Sequence, residues 1–226
     1  MNRSLAPQIV LVAIAGATAC VDSGGGGSVV PEDSEFDFVG MMANYVDNVI
    51  LPAYQRFAAS TAAISSPTGP VASYCGSIGT VDEAVMLDSA REAWRTGMSD
   101  WQEAEAYLVG PATANGGAIR NSIYSFFSGS PLSTCAIDQA VVLNQDLAFD
   151  INSRSFNQRG LDALEYLFFN DDLMHTCPVQ IVETVDWDLR PETERKQLRC
   201  EYALELATDL DQSVTCLLYT SDAADE

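Results

Sequence analysis

The chain has 226 residues, enough for one sizeable domain or two small ones, and 47% of them are hydrophobic, so a core can form. Its formal net charge of −21 at pH 7 argues against nucleic acid as a partner, because phosphate binding requires basic patches. The same charge is compatible with cation binding, although solubility alone also accounts for it.

The first twenty residues have the pattern of an export signal. Arg3 provides a positive N-terminal region, and the apolar stretch from Ile9 to Ala19 is too short to span a membrane. The sequence A-T-A-C, which ends at Cys20, is similar to a bacterial lipobox, in which the cysteine is lipidated after cleavage. We therefore expect a lipoprotein signal peptide over residues 1–19 and a lipid anchor at Cys20, with an ordinary signal peptide as the alternative.

Residues 20–35 read as a glycine-rich linker that includes four consecutive glycines at 24–27. A lipid anchor followed by such a linker predicts a domain held at a membrane surface on the periplasmic side of the cell envelope. Val21, directly after the cysteine, favours the outer membrane.

The first predicted helix runs from about Phe36 to Ile64. Its apolar residues recur at intervals of three and four, the pattern of a helix packed in a bundle. The residues of this seam are Val39, Met42, Val46, Val49, Ala53 and Phe57. Pro52 lies within the stretch, so either the helix is kinked there or it consists of two pieces.

The second predicted helix follows a loop over 65–79 and extends to about Leu108. Thr80 and Glu83 have the spacing of a capping box at its start. Four large apolar residues repeat every seven positions, so they share one face, and both tryptophans among them are expected in the core. These residues are Leu87, Trp94, Trp101 and Leu108.

The second half of the chain predicts three more helices. Residues 111–135 are irregular, and a short helix follows over 136–145. Ser155 and Gln158 predict a capping box that starts a helix through Asn170, and Pro191 predicts the start of a last helix that runs to about Asp211. No useful strand alternation occurs, so the predicted fold is all-α: an up-down helical bundle with long loops tied by disulfides.

Four cysteines remain once Cys20 is assigned to lipidation and Cys216 is set aside with the last eleven residues: Cys75, Cys135, Cys177 and Cys200. An oxidising compartment favours two disulfides, and the absence of C-x-x-C argues against zinc. Of the three possible connectivities, we expect Cys177–Cys200 and Cys75–Cys135.

The chemistry centres on the segment R-G-L-D-A-L-E-Y-L-F-F-N, from Arg159 to Asn170. Asp162 and Glu165 lie three apart on this helix, so both carboxylates project from nearly the same side. They form either part of an all-oxygen site for a hard cation, with further ligands from other helices, or a solvent-exposed edge. Further oxygen ligands could come from Glu103, Asp138 or Asp146. Alternatively, an inward-facing Glu165 would require a donor: Arg91, Arg159 or a tyrosine.

This segment resembles the G-x-H-x-x-E motif of the imelysin family. Gly160 and Glu165 match the motif, whereas Asp162 stands where the family has histidine. The closer likeness is to a lipoprotein branch of the family that also lacks the histidine. Two other stretches resemble the family: N-V-I-L-P-A-Y-Q-R-F, which contains Pro52 and Tyr54, and R-E-A-W, from Arg91 to Trp94, followed by Glu103 and Gly110-Pro111.

The resemblance covers Asn48 to Thr215 and implies a fold of two helical bundles, of which residues 36–215 would hold the first and the motif. It also implies a cell-envelope protein tied to iron uptake and classed with the metallopeptidases. Residues 216–226 resemble the translation of a sequencing adaptor, so we expect the natural protein to continue differently beyond about Thr215.

Three functional hypotheses follow. The first is a non-catalytic lipoprotein that binds iron, another divalent or trivalent metal, or an iron-bearing ligand, and that works with iron-uptake components. The second is a metallopeptidase, although the chain has one histidine, His175, and a zinc peptidase needs several ligands. The third is a structural module that binds a peptide or small ligand.

Overall fold

The computed structural model describes residues 36–109, 112–126, 129–130 and 132–222, with the backbone alone for 219–222. The expected signal peptide, the lipidation site Cys20 and the linker to residue 35 lie outside these residues. The part from Phe38 onward forms one structural unit.

The described part of the chain contains eight α-helices, a π-helical turn, several 3-10 turns and connecting loops, and it contains no strand. The helices are α1 (Phe38–Tyr45), α2 (Leu51–Ser65), α3 (Pro70–Ser77), α4 (Glu83–Glu105), α5 (Ala114–Ile123), α6 (Thr134–Leu143), α7 (Gly160–Phe169) and α8 (Glu192–Asp222). The all-α helical bundle predicted from the sequence is therefore confirmed. None of the described helices combines the length and apolarity needed to cross a membrane.

The C-terminal helix α8 occupies the centre of the bundle. It packs against α2, α3, α5, α6 and α7, while α4 covers the other side of α2, α3 and α7. Leu206 and Leu210 of α8 are fully buried, as the apolar spacing predicts. The helix continues to Asp222, beyond the end predicted near Asp211, and its Val214 and Leu217 are also buried.

Pro52 is accommodated by a π-helical turn rather than by a break. Residues Val46–Ile50 form this turn between α1 and α2, and the N–H of Leu51 donates to the carbonyl of Val46, five residues back. The flanking residues Tyr45 and Leu51 keep helical dihedral angles, so α1, the turn and α2 follow one another continuously. A π-turn widens the helix locally, which relieves the clash a proline ring makes with the preceding turn.

The seven-residue repeat of α4 forms the predicted buried face. Trp101 is fully buried and its ring lies 5.3 Å from that of Phe57, while Trp94 is 9% exposed. Leu87 and Leu108 pack against the same core from its margin. These contacts confirm the interpretation of both tryptophans as core residues.

All four expected cysteines form disulfides, but the predicted pairing is wrong. Cys75 of α3 is joined to Cys200 of α8, and Cys135 of α6 is joined to Cys177, with Cα–Cα distances of 5.5 and 4.5 Å. The reason is packing: α3 lies along α8, and the first turn of α6 lies beside the loop that follows α7. The bonds therefore connect helices that are neighbours in space, which residue spacing alone does not reveal.

Candidate functional site

Helix α7 begins at a position that only glycine can occupy. Gly160 has φ of +80°, and a Cβ there would lie 2.3 Å from the carbonyl oxygen of Ser122 and 2.4 Å from that of Ile123. A left-handed backbone and direct contact with the end of α5 thus coincide at one position. The glycine of the sequence motif fixes how closely α7 approaches α5.

Ser125 caps the start of α7 from a different part of the chain. Its hydroxyl donates to the carbonyl of Arg159 and accepts from the backbone N–H groups of Asp162 (3.1 Å) and Ala163 (3.3 Å). Those N–H groups belong to the first turn of the helix, where no intrahelical partner exists. Ser125 itself has φ of +60°, a strained value for a residue with a side chain.

The capping box predicted at Ser155 and Gln158 is wrong. Residues Phe156–Gln158 form a separate 3-10 turn, the Ser155 side chain caps nothing, and α7 starts only at Gly160. The spacing of the two residues is right for a capping box, but the backbone becomes extended at Arg159. The cap is supplied by tertiary structure instead of by the local sequence.

Asp162 and Glu165 both line an open cavity of about 290 Å³ on the outer side of α7. The cavity wall combines these two carboxylates with apolar and aromatic surface. The other lining residues are Leu132, Tyr166, Phe169 and Asn170. The spacing argument from the sequence is thus confirmed as geometry, because the two carboxylates face the same space.

The electrostatics of this cavity are unfavourable for two carboxylates. Burial of Asp162, followed by the charges of Glu165 and Glu105, raises the pKa of the Asp162 carboxyl to about 6. Glu105 is itself paired with Arg120 at 2.8 Å. Within the described residues, the side chains of Asp162 and Glu165 accept no hydrogen bond and form no ion pair. The described wall of the cavity therefore carries negative charge and no counter-charge.

The alternative of a buried Glu165 held by a donor is not what the structure shows, because Glu165 is exposed. Each expected donor bonds elsewhere. Arg91 donates to the carbonyl of Phe168 at 2.8 Å and pairs with Asp171, whereas Arg159 forms a buried ion pair with Asp209.

The phenol of Tyr166, the third donor type considered, points to Asp138 rather than to Glu165. Its oxygen lies 3.0 Å from both carboxylate oxygens of Asp138. Asp138 is 1% exposed and also accepts from the N–H of Thr176 at 2.8 Å and lies 3.5 Å from Arg199. This carboxylate is fully engaged in holding α6, α7 and α8 together, so it does not reach the cavity as a cation ligand.

The other two oxygen ligands considered from the sequence also lie outside the cavity wall. Glu103 pairs with Arg56, and Asp146 accepts from the N–H of Ala148 at 2.9 Å. His175 is turned into its own loop: its Nδ1 accepts from the N–H of Cys177 at 3.1 Å, and its Nε2 lies 3.8 Å from Asp188. Among the described residues, no group of three His, Cys, Asp or Glu side chains is arranged to hold a metal ion.

The remaining motif residues brace α7 or the core. The indole N–H of Trp94 donates to the carbonyl of Leu161 at 2.8 Å, so α4 fixes the first turn of α7. Tyr54 is buried and donates to the carbonyl of Tyr107 at 2.7 Å, away from the cavity. Pro52 occupies the second position of α2 and has no contact with the site.

Two residues near the cavity carry no signal in the sequence. Ser125 lies in an irregular stretch with no capping pattern, and its role depends on where α5 ends. Tyr124 precedes it, and the pKa of its phenol is raised first by the charge of Asp162 and then by burial. Only the packing of α5 against α7 brings either residue to the site.

Comparison with known proteins places the chain among recognisable relatives. A family model described as imelysin matches residues 50–221. Iron-regulated protein A of Synechococcus elongatus is 26% identical over 125 residues, which is 55% of this chain. The matched region spans 30% of that relative's length. No solved structure matches the chain.

Proposed function

Because this chain belongs to the imelysin family, we propose that it is a non-catalytic, lipid-anchored protein of the cell envelope that binds iron as cargo. The proposed cargo is ferric iron or an iron-bearing ligand, and the proposed site is the α7 cavity. The family and a relative named as iron-regulated support the link to iron. The export pattern and the two disulfides support an oxidising compartment.

One observation carries the proposal: two carboxylates share a cavity wall, and among the described residues neither has a hydrogen-bond or ion-pair partner, since the donors of Tyr166 and Asn170 are bonded elsewhere. A carboxylate retained for structure is paired when it is removed from water, as Asp138 and Asp209 are in this protein. Asp162 is half-buried, unpaired and beside Glu165. A bound cation would remove the repulsion between these groups, and hard trivalent ions favour oxygen ligands.

The size of the cavity favours a ligand that brings part of its own coordination shell. A volume of about 290 Å³ far exceeds that of a bare ion and approaches the lower end for small-molecule sites. Asp162 and Glu165 would supply two oxygen ligands, and waters or oxygens of an iron-bearing ligand would supply the others. The apolar surface of Leu132 and Phe169 would contact the body of such a ligand.

Metal titration of the full chain tests this function. The probes are Tb³⁺, a hard trivalent ion followed by luminescence, and ferric citrate, followed by quenching of tryptophan fluorescence. We expect binding by the unaltered protein, with a loss of about tenfold or more in affinity for Asp162→Asn and for Glu165→Gln. The matched control is Glu205→Gln, an exposed helical glutamate outside the cavity wall, which should leave the affinity unchanged.

The pH dependence gives a second readout from the same titration. A cation competes with the proton on Asp162, whose pKa is about 6, so affinity should rise between pH 5 and pH 7. The Asp162→Asn variant should lose most of this rise. Equal affinity in the unaltered protein and in a variant that combines Asp162→Asn with Glu165→Gln, or no binding of either probe at micromolar concentration, would overturn the proposal.

A further inference from the structure

We propose that helix α1 is a lipid-contacting element that lies in the interfacial region of a bilayer. The inference rests on the lipid-anchored part of the proposed function and is independent of cation binding at α7. It assigns a role to the one described helix whose apolar residues are left outside the core.

Helix α1 is apolar but contributes no buried residue. Its exposed fractions include 78% for Val39 and 61% for Phe38, and Met41, Met42 and Tyr45 are each at least 40% exposed. The helix α2 that continues from it behaves differently, since Tyr54, Phe57 and three other residues are buried. The apolar face of α2 is therefore buried in the bundle, whereas the apolar residues of α1 lie beyond the end of the bundle and remain exposed.

The composition of α1 fits a lipid surface. Its sequence F-V-G-M-M-A-N-Y contains no ionisable group except Tyr45, in a chain whose net charge is −21. Eight residues are far too few to span a bilayer, which requires about 20, but apolar side chains with an interfacial tyrosine suit the headgroup boundary. The rings of Tyr45 and Tyr107 are arranged edge to face with their centroids 5.9 Å apart, which ties α1 to the bundle.

Helix α1 is the first described helix after the proposed anchor along the sequence. Between Cys20 and Phe38 the backbone can reach at most about 60 Å when fully extended. No described helix precedes α1. In a chain attached at Cys20, α1 is therefore the described helix separated from the membrane by the fewest residues. Attachment through one group raises the effective concentration for a second contact, so a weak insertion of α1 is strengthened.

A second copy of the chain is a less suitable partner for this surface. Eight helical residues measure about 12 Å, so pairing of two α1 helices buries far less than the roughly 1,000 Å² that a stable interface requires. Two chains that each carry a charge of −21 also repel one another. A zwitterionic bilayer presents an extended apolar interior without this repulsion.

Methionine oxidation by hydrogen peroxide tests the inference on the full chain. Met41 and Met42 of α1 are 42% and 40% exposed, and Met174, in the loop after α7, is 46% exposed and serves as an internal control. Oxidation is measured by peptide mass spectrometry with and without vesicles of phosphatidylcholine and phosphatidylethanolamine. We expect vesicles to slow oxidation of Met41 and Met42 severalfold and to leave Met174 unchanged.

The substitution Val39→Glu should abolish the protection, because it places a charge in the interfacial face without altering a buried residue. Equal slowing at all three methionines, or no slowing in the vesicle-bound protein, would overturn the inference. Concentration-dependent protection of Met41 and Met42 without vesicles would assign the surface to a second copy instead. Flotation with the vesicles measures membrane attachment separately, so failure of the lipid anchor is distinguishable from failure at α1, and Tb³⁺ binding tests the α7 site on its own.

Discussion

The side chain of Asp162 is placed where its charge opposes folding. Its neighbours along α7, Leu161 and Ala163, are buried, and Gly160 fixes the helix against α5, so the carboxylate cannot move far into solvent. The pKa of the carboxyl is consequently raised to about 6 from an ordinary value of 3.8. Residues that reduce stability at a cavity are often retained for binding.

Replacement of this carboxylate by an amide should stabilise the protein at neutral pH. Since the folded-state pKa exceeds the unfolded value, the ionised Asp162 costs stability above pH 6, and the cost disappears below about pH 4. We expect Asp162→Asn to raise the free energy of unfolding at pH 7.5 by roughly 1–2 kcal/mol, after allowance for solvent screening. Urea unfolding at pH 7.5 and pH 4 measures this difference, and an equal gain at both pH values would contradict it.

A side chain at residue 160 should lower the free energy of unfolding by more than a left-handed backbone conformation alone would. Gly160→Ala adds a Cβ within 2.4 Å of two backbone oxygens, so we expect a loss of about 3 kcal/mol or more. Gly116→Ala provides the control, since Gly116 has φ of +70° but no atom within 4 Å of the added Cβ. That variant should lose only about 1 kcal/mol. Similar losses in the two variants, measured by urea unfolding, would refute the close-approach explanation.

At the level of the helices, apolar periodicity predicts which residues are buried, but it does not predict which residues cap a helix or join it to its neighbours. The spacing in α4 correctly predicts the burial of Trp94 and Trp101, and the spacing in α7 correctly predicts that Asp162 and Glu165 face one space. Both are consequences of local helical geometry. The cap of α7 and the disulfide partners depend on which helices become neighbours, and the pattern of a single chain does not contain that information.

The start of α7 offers a direct test of this distinction. Ser125→Ala removes the hydroxyl that caps two N–H groups of α7, so we expect a loss of about 1–2 kcal/mol. The amide of Ala163 should also exchange its hydrogen faster. Ser155→Ala, at the position where the sequence predicts the cap, should change neither property. A larger loss of stability for Ser155→Ala than for Ser125→Ala would instead support the capping box predicted from the local sequence.

In the whole molecule, α8 links most of the other elements. Its buried Asp209 pairs with Arg159 before α7, its Arg199 lies beside Asp138 of α6, and its Cys200 is bonded to α3. The helix that comes last in the described chain therefore completes the surroundings of α7. The position of the cavity depends on contacts between segments far apart in sequence.

The two disulfides should contribute unequally to stability. Cys75–Cys200 joins residues 125 apart, and Cys135–Cys177 joins residues 42 apart. On the chain-entropy account their removal costs about 5 and about 4 kcal/mol respectively. Thermal unfolding of the two paired Cys→Ser variants should therefore show the greater loss for the Cys75/Cys200 pair. A greater loss for the Cys135/Cys177 pair would indicate that the bond stabilises mainly by holding the loop after α7 in its native structure, and not by reducing the entropy of the unfolded chain.

The long separation between Cys75 and Cys200 also governs how the protein matures. Synthesis proceeds from the N-terminus at about 5–20 residues per second, so Cys75 and Cys135 both emerge before either native partner. During that interval an oxidising environment can join the two wrong cysteines, and disulfide exchange takes seconds to hours without a catalyst. In an oxidising compartment, native pairing would therefore require either exchange of a wrong Cys75–Cys135 bond or oxidation delayed until α8 has been made. We expect the yield of native protein to rise when a thiol isomerase is present during refolding.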